Sequence, residues 1–418
     1  MIRNKNLLIL VLIPLLLGEA KAQAKDTLHL ESLAQAIELL EGKHQGLEAA
    51  RLRHQAAQQM RHTAYELPRL ELGGQYGNMG GAERDLMLEV KQSLPFPTVF
   101  GAKRRLLRIQ SQQQGAQLAL DKQELITVLR TLYEGIRYQE YRARTIAQLD
   151  STYADYVRLS ELRHRSGVAK SSELRLSQLK RGKIAQQMSE CLLTLEETSR
   201  QMASLLGHKG VVRIALDREL IPLKLPREVE LNSLEHNAGL RLSSIRIEEA
   251  RAERRHTKAS LLPEITLGYE NSSAVGMHEI GGREVWQGLG KRFSSYYLGL
   301  SIPLDLGTSR AKLRAERLEI QAREHAHEQL RSDLEAALCS AQEAYRMRLK
   351  QYEYYKYEAQ PTAEEVLRVA DRNFRSGEIS YLEYLEALET MTEVRLSYLE
   401  SCYQLSLAVI HIHSLTHL

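Results

Sequence analysis

The chain has 418 residues, about a quarter of them charged, and a formal net charge of +4. That length exceeds one ordinary core, so several domains or a repeated architecture are expected. The near balance of charge excludes a nucleic-acid binder, and the weight of Leu, Ala, Glu, Gln and Arg is the composition of long helices.

The N-terminus reads as a secretory signal. Arg3 and Lys5 supply the positive region, "LLILVLIPLLL" (7–17) the apolar run, and Ala20-Lys21-Ala22 or Ala22-Gln23-Ala24 a small-x-small cleavage site. Residues 1–22 are taken as the signal peptide, so the mature protein is expected to be exported. No Cys stands near the site to carry a lipid. No later segment is apolar enough for a membrane helix.

Proline positions mark the segments beyond, because proline breaks helices. None occurs between Pro97 and Pro222 or between Pro303 and Pro361. Three landmarks recur in order. "ELPRLELGGQYGN" (66–78) resembles "LLPEITLGYENSS" (261–273), "LEVKQSLPF" (88–96) resembles "YLGLSIPLD" (297–305), and Arg165-Ser166-Gly167 matches Arg375-Ser376-Gly377. An offset of about half the chain indicates an internal duplication. The expected division is 23–206 as a first repeat, 207–230 as a connection and 231–418 as a second repeat. Each repeat reads helix, strand, turn, strand, very long helix, turn, helix.

Strands are expected at 69–78, 85–94, 264–273 and 293–302 from alternation. Leu86, Leu88, Val90 and Leu94 oppose Met87, Glu89, Lys91 and Ser93; Tyr296, Leu298 and Leu300 oppose Ser295, Tyr297 and Gly299. Each is about ten residues, the length that crosses a bilayer tilted. The apolar face would meet lipid, and Glu89 and Lys91 would meet water in a barrel lumen. Four strands cannot close a barrel, for which roughly eight is the minimum, and open edges are not tolerated in lipid. Membrane strands here therefore require several copies of the chain to share one barrel.

The helices follow from period. Leu125, Leu129, Leu132 and Ile136 form one stripe, and Leu330, Leu334, Leu338, Ala341, Tyr345 and Leu349 another, both near the coiled-coil repeat. A continuous helix over 101–164 would span about 95 Å. The segment 272–292 is Gly-rich and polar and reads as a long extracellular loop carrying Trp286. Cys191, Cys339 and Cys402 are dispersed, which argues against disulfides and for buried helix positions. His411 and His413, like His325 and His327, are two apart, so on a helix they diverge by about 200° and make poor metal ligands. No nucleophile constellation, HExxH or phosphate loop stands in a supporting context. No catalysis, cofactor or metal site is expected.

Taken together, the duplicated halves, the Leu-Pro entry into a strand, the strand pairs ending at proline and the Gly turn between long helices resemble the TolC-type outer-membrane efflux channels over residues 28–415. Within that family "EAQPTAEEVLRVADRNFRSGEISYLEYLEALE" (358–389), with the helix that follows it to 412, is most similar to the heavy-metal cation branch.

The resemblance implies an α+β membrane protein. Its long antiparallel coiled-coil helices would form a periplasmic α-barrel, and four transmembrane strands per protomer would join a shared 12-stranded barrel in a homotrimer. It implies outer-membrane lipid around the barrel, a periplasmic adaptor (membrane fusion protein) and an inner-membrane RND-type pump as partners, and the role of passive exit duct. It also implies residue roles. Arg165, Ser166, Gly167, Arg375, Ser376 and Gly377 would form adaptor-contact tips, and Glu383 and Glu386 would ring the periplasmic aperture as carboxylates that attract cations and raise one another's pKa. One departure stands out: Ile379 occupies the position where the best-known member has a basic aperture lock. A multidrug duct and a periplasmic helical adaptor are the competing readings.

Overall fold

The computed structural model describes residues 27–79, 83–168, 170–225, 231–304 and 306–416. The expected signal peptide lies outside them. The elements in chain order are β1 (Thr27–Leu30), α1 (Leu33–Lys43), α2 (Gln45–Met60), β2 (Glu71–Gly77), β3 (Asp85–Leu94), α3 (Pro97–Arg165), α4 (Ser171–Leu205) and β4 (Val211–Ile214). The second half continues with α5 (Ala238–Ser260), β5 (Glu264–Ser273), β6 (Gly276–Ile280), β7 (Arg283–Gln287), β8 (Arg292–Ser301), α6 (Leu306–Tyr354), α7 (Gln360–Ser376) and α8 (Tyr381–Thr416).

Helix α3 has 69 residues, about 104 Å at 1.5 Å per residue. A rod of that length has no globular core, so its apolar stripe is buried piecemeal. Leu129 and Ile136 pack with α1, α4, β1 and β4. Farther along, Ile146, Leu149, Tyr153 and Tyr156 pack with α4, α7 and α8. In the second half Leu338 and Ala341 are buried against Leu240 of α5 and Ile412 of α8.

The long helix of the second half is not continuous. Tyr355–Ala359 forms a π-helical segment between α6 and α7. Pro361 follows it; a proline lacks the N–H of an α-helical turn and its ring clashes with the carbonyl four residues back, here that of Tyr357. A wider turn relieves that clash. No proline interrupts α3. The two halves therefore differ in helix continuity at this level.

Both Arg-Ser-Gly tripeptides end a helix in the same way. Gly167 has φ 75° and Gly377 φ 84°, the left-handed region that an L side chain enters only at a cost. Val168 N donates to Arg163 O at 2.9 Å and Glu378 N to Asn373 O at 2.8 Å, the wide bond of a Schellman cap. The serines act alike: Ser166 Oγ donates to Arg163 O and Ser376 Oγ to Asn373 O. Glycine at these sites is required by backbone geometry, with open space around it. Gly377→Ala is expected to destabilise by about 1–2 kcal/mol, seen as a lower unfolding midpoint and faster amide exchange at Glu378.

Segment 272–292 departs from the expected loop. Most of it is the β6–β7 hairpin, in which Met277 pairs with Trp286 and Gly281-Gly282 form the turn, both with positive φ. Like-charged Glu279 and Glu284 face one another, which masks the strand pattern in sequence. Cys339 also departs from expectation: it is exposed, whereas Cys191 and Cys402 are buried. The neighbouring Leu338 takes the inward position, and one residue is about 100° of turn.

The connection between halves is pinned along the rod. β4 pairs in parallel with β1, Thr27 opposite Val211. Tyr141 Oη donates to Asp217 O at 2.7 Å. Leu223 N donates to Ser406 Oγ and Leu225 N to Tyr345 Oη. Beneath it Arg137 and Glu134 form a buried ion pair at 2.8 Å, and Arg137 also donates to Ile221 O.

Candidate functional site

Two regions carry the features a duct needs: a sheet with one apolar face, and a helical end bearing carboxylates. The sheet has strand order β2-β3-β5-β8, all antiparallel. Because side chains alternate, register decides whether four separate alternations add up to one face. They do. Leu72 pairs with Val90, Val90 with Tyr269, and Tyr269 with Tyr296; one strand step away Leu267 pairs with Leu298. Leu72 is 74 %, Leu298 73 % and Tyr296 82 % exposed. An apolar sheet face of this extent left bare marks an interaction surface, and ten-residue strands fit the width of a bilayer.

The opposite face is polar. Glu89 sits between Gly73 and Glu270, and Lys91 between Glu71 and Gly268. Lys91 Nζ lies 3.4 Å from Glu71. Tyr297 lies across Gly268 and donates its hydroxyl to Glu89. A Cβ on Gly268 would collide with the Tyr297 ring, so only glycine admits this contact. Gly268→Val is expected to eject Tyr297 from Glu89, read as altered tyrosine fluorescence. Sequence alternation placed Glu89 and Lys91 together; it did not show that a glycine opposite Tyr297 makes room for the link. Gly268 was visible in sequence, but the pairing with Tyr297 is a register fact.

At the far end of the helices the two glycine turns are tied together by aromatic contacts. Tyr156 stacks on Tyr381 at 4.9 Å between centroids and Phe374 on Tyr384 at 4.9 Å. Tyr156 Oη donates to Tyr381 O, Tyr381 Oη donates to Glu173 O, and the Arg163 guanidinium lies over Phe374. Ile379 packs partly buried against this cluster. Arg165 is exposed, while Arg375 pairs with Asp371 at 3.0 Å.

The three glutamates that begin α8 are not equivalent. Glu383 accepts from Ser380 N at 2.6 Å while Ser380 Oγ accepts from Glu383 N at 3.3 Å. This is a capping box that satisfies otherwise orphaned amides. The Ser380 hydroxyl and backbone bonds hold the Glu383 carboxyl below the usual carboxylate range. Within one chain this is opposite to the raised value expected of a carboxylate ring, because a local hydrogen bond to the charged form favours it. Glu389 pairs with Lys180 of α4. Glu386 is exposed and makes no ion pair among the described residues. The Ser-x-x-Glu spacing at 380–383 was the signal for the box.

A pH dependence follows. The Glu383 pKa is depressed in the fold, so its stabilisation is present above the unfolded carboxylate pKa and is lost as pH falls through the folded value. Amide protection at Ser380, whose N–H the Glu383 carboxylate accepts, should weaken on acidification, and Glu383→Ala should remove that dependence.

No helix among the described residues is long and apolar enough to cross a membrane. No three His, Cys, Asp or Glu side chains among them gather as metal ligands.

Comparison with known proteins agrees with this geometry. Residues 232–416 match the family described as outer membrane efflux protein. No curated protein matches the chain. Among solved structures, CusC matches with a TM-score of 0.77 at 15% identity, covering 92% of this chain and 91% of that one. The open state of the Neisseria gonorrhoeae MtrE outer membrane channel matches with a TM-score of 0.73 at 16% identity over 92% and 88%. The Campylobacter jejuni CmeC outer membrane channel gives 0.75 at 12% over 92% and 85%. At these identities the structures speak for the fold alone. Residues 232–416 thus resemble the outer membrane efflux protein family, and nearly the whole chain shares the fold of solved outer membrane channels.

Proposed function

We propose that this protein is the exit duct of a tripartite efflux assembly, formed by three copies. The observation that carries this is the four-stranded sheet with two open edges, β2 and β8, and one bare apolar face. Open edges in lipid leave backbone amides without partners. Pairing β8 of one copy with β2 of the next removes every edge, and three copies give a 12-stranded barrel with Glu89 and Lys91 in the lumen. The helices then stack as a tube below it. Residues 23–206 and 231–418 serve as two repeats joined at 207–230, the second elaborated by the β6–β7 hairpin and the break between α6 and α7. An adaptor meets the tube at Arg165–Gly167 and Arg375–Gly377, and an inner-membrane RND-type pump supplies the energy.

At the aperture Glu386 is a better ring residue than Glu383. Glu386 is exposed and uncommitted, whereas Glu383 is occupied by its capping box. Three Glu386 carboxylates in a ring would attract cations. Together with the likeness of 358–412 to the cation branch, this supports heavy-metal cations as the cargo. Drugs or other small solutes are the second reading. A deletion strain is expected to lose tolerance to zinc, cobalt, copper or silver. Lost drug tolerance beside unchanged metal tolerance would remove the cation assignment. Unheated gels of outer-membrane fractions should show a trimer band; a soluble monomer would sink the duct.

A further inference from the structure

The helices nearest the sheet carry positive charge that few carboxylates on the chain answer. α5 enters β5 through Leu261, Leu262 and Pro263, and α6 leaves β8 beyond Pro303. Between α5 and α6 lies an open groove of about 670 Å³. Leu313 and Ile320 line it, together with Arg251, Arg254, Arg255, Lys258 and Arg317. Glu324, the one carboxylate in the lining, is taken by Arg251. Arg254, Arg255, Lys258 and Arg317 are exposed and make no ion pair among the described residues. Farther from the sheet the pattern changes: Arg323 meets Glu319 and Glu249, and Arg331 meets Glu335.

Position gives the groove its meaning. At 1.5 Å per residue, Lys258 lies about 3 Å and Arg254 about 9 Å before the end of α5, and Arg317 about 16 Å into α6. The polar layer of a bilayer is about 5–8 Å thick on each side, and Arg and Lys side chains reach several Å along a helix. Leu262, Ile302 and Leu304 are exposed between the groove and the sheet. The surface thus runs from a cationic groove with apolar walls onto bare apolar side chains and then onto the apolar sheet face. Soluble phosphate would use only the first of these; a lipid uses all three.

We infer that the α5–α6 groove binds the phosphate headgroup of an anionic phospholipid from the leaflet facing the helices, with acyl chains lying on Leu262, Ile302 and Leu304. The inference rests on the sheet being the membrane-spanning part of the duct. It also removes a conflict, since the same unpaired cations on the inner wall of a tube would repel a cationic cargo.

The test uses the purified trimer in neutral detergent, mixed with phosphatidylglycerol or phosphatidylcholine and read by native mass spectrometry. Preferential retention of phosphatidylglycerol is expected. Each cation near an anionic headgroup contributes about fivefold, so Arg254→Gln with Arg255→Gln should lower that retention about 25-fold, and the Lys pair should keep most of it. Equal retention of the two lipids by the parent, or unchanged retention by the Gln pair, would overturn the inference. So would a shifted reversal potential in planar bilayers with lipid retention unchanged, which would put these side chains on the inner wall. The trimer band on unheated gels is read separately: its loss in the parent would remove the duct itself, not the lipid site.

Discussion

Leu298→Arg is expected to abolish the proposed trimer in the outer membrane, while Ser295→Arg on the same strand leaves it intact. Leu298 lies within β8 on the apolar face, opposite Leu267, and is largely exposed in the single chain. An arginine at mid-depth on the lipid face of a barrel costs about 2–4 kcal/mol. In a trimer that cost arises three times. Ser295 pairs with Glu270 on the polar face, where a cation meets water and a carboxylate. Heat-modifiable bands from membrane fractions read the outcome. Equal loss from both substitutions would mean that the strand tolerates no arginine at all. Equal tolerance of both would mean that the apolar face does not meet lipid.

The second large effect is expected at Arg137. Its guanidinium is held by Glu134 at 2.8 and 3.1 Å, and both side chains are buried within α3. Burial alone lowers the Arg137 pKa, but Glu134, through charge and hydrogen bond, outweighs it and leaves the group above its ordinary value. Arg137→Ala strands the Glu134 carboxylate away from water, at a cost of about 3–5 kcal/mol. Glu134→Leu with Arg137→Met removes both charges and should recover most of that loss, since a buried pair is rarely better than an apolar one of similar volume. Arg137 also reaches Ile221 O, so limited proteolysis should cut the 215–225 segment sooner in both variants. Denaturation midpoints separate the two contributions. A single mutant as stable as the parent would show that the pair is solvated.

Much of this fold could be read from local pattern. The stripe through Leu129 and Ile136, the four alternations and the repeated Arg-Ser-Gly turns each rest on short-range geometry. A helix period, a strand period and a left-handed glycine are fixed within a few residues. The β1–β4 pair was not legible. Each strand is four residues, and their partners lie 184 positions apart, Thr27 to Val211. Nor was the β6–β7 hairpin, where opposed Glu279 and Glu284 break the apolar rhythm. The π-helical segment before Pro361 had a visible cause but no visible outcome, because a proline can end, kink or widen a helix and packing chooses among these.

The candidate site divides along the same line. Sequence alone determined which residues are carboxylates at the head of α8, which glycines end helices, and which strand positions are apolar, because these depend on residue type and spacing. Only the tertiary structure decided what those residues are free to do. It gave Glu383 to Ser380, Glu389 to Lys180 across a helix pair, and left Glu386 exposed. It also set the register that merges four alternations into one apolar face and lays Tyr297 over Gly268. A charge is written in the sequence, but its partner is a distance, and distances between remote residues exist only once the chain has folded.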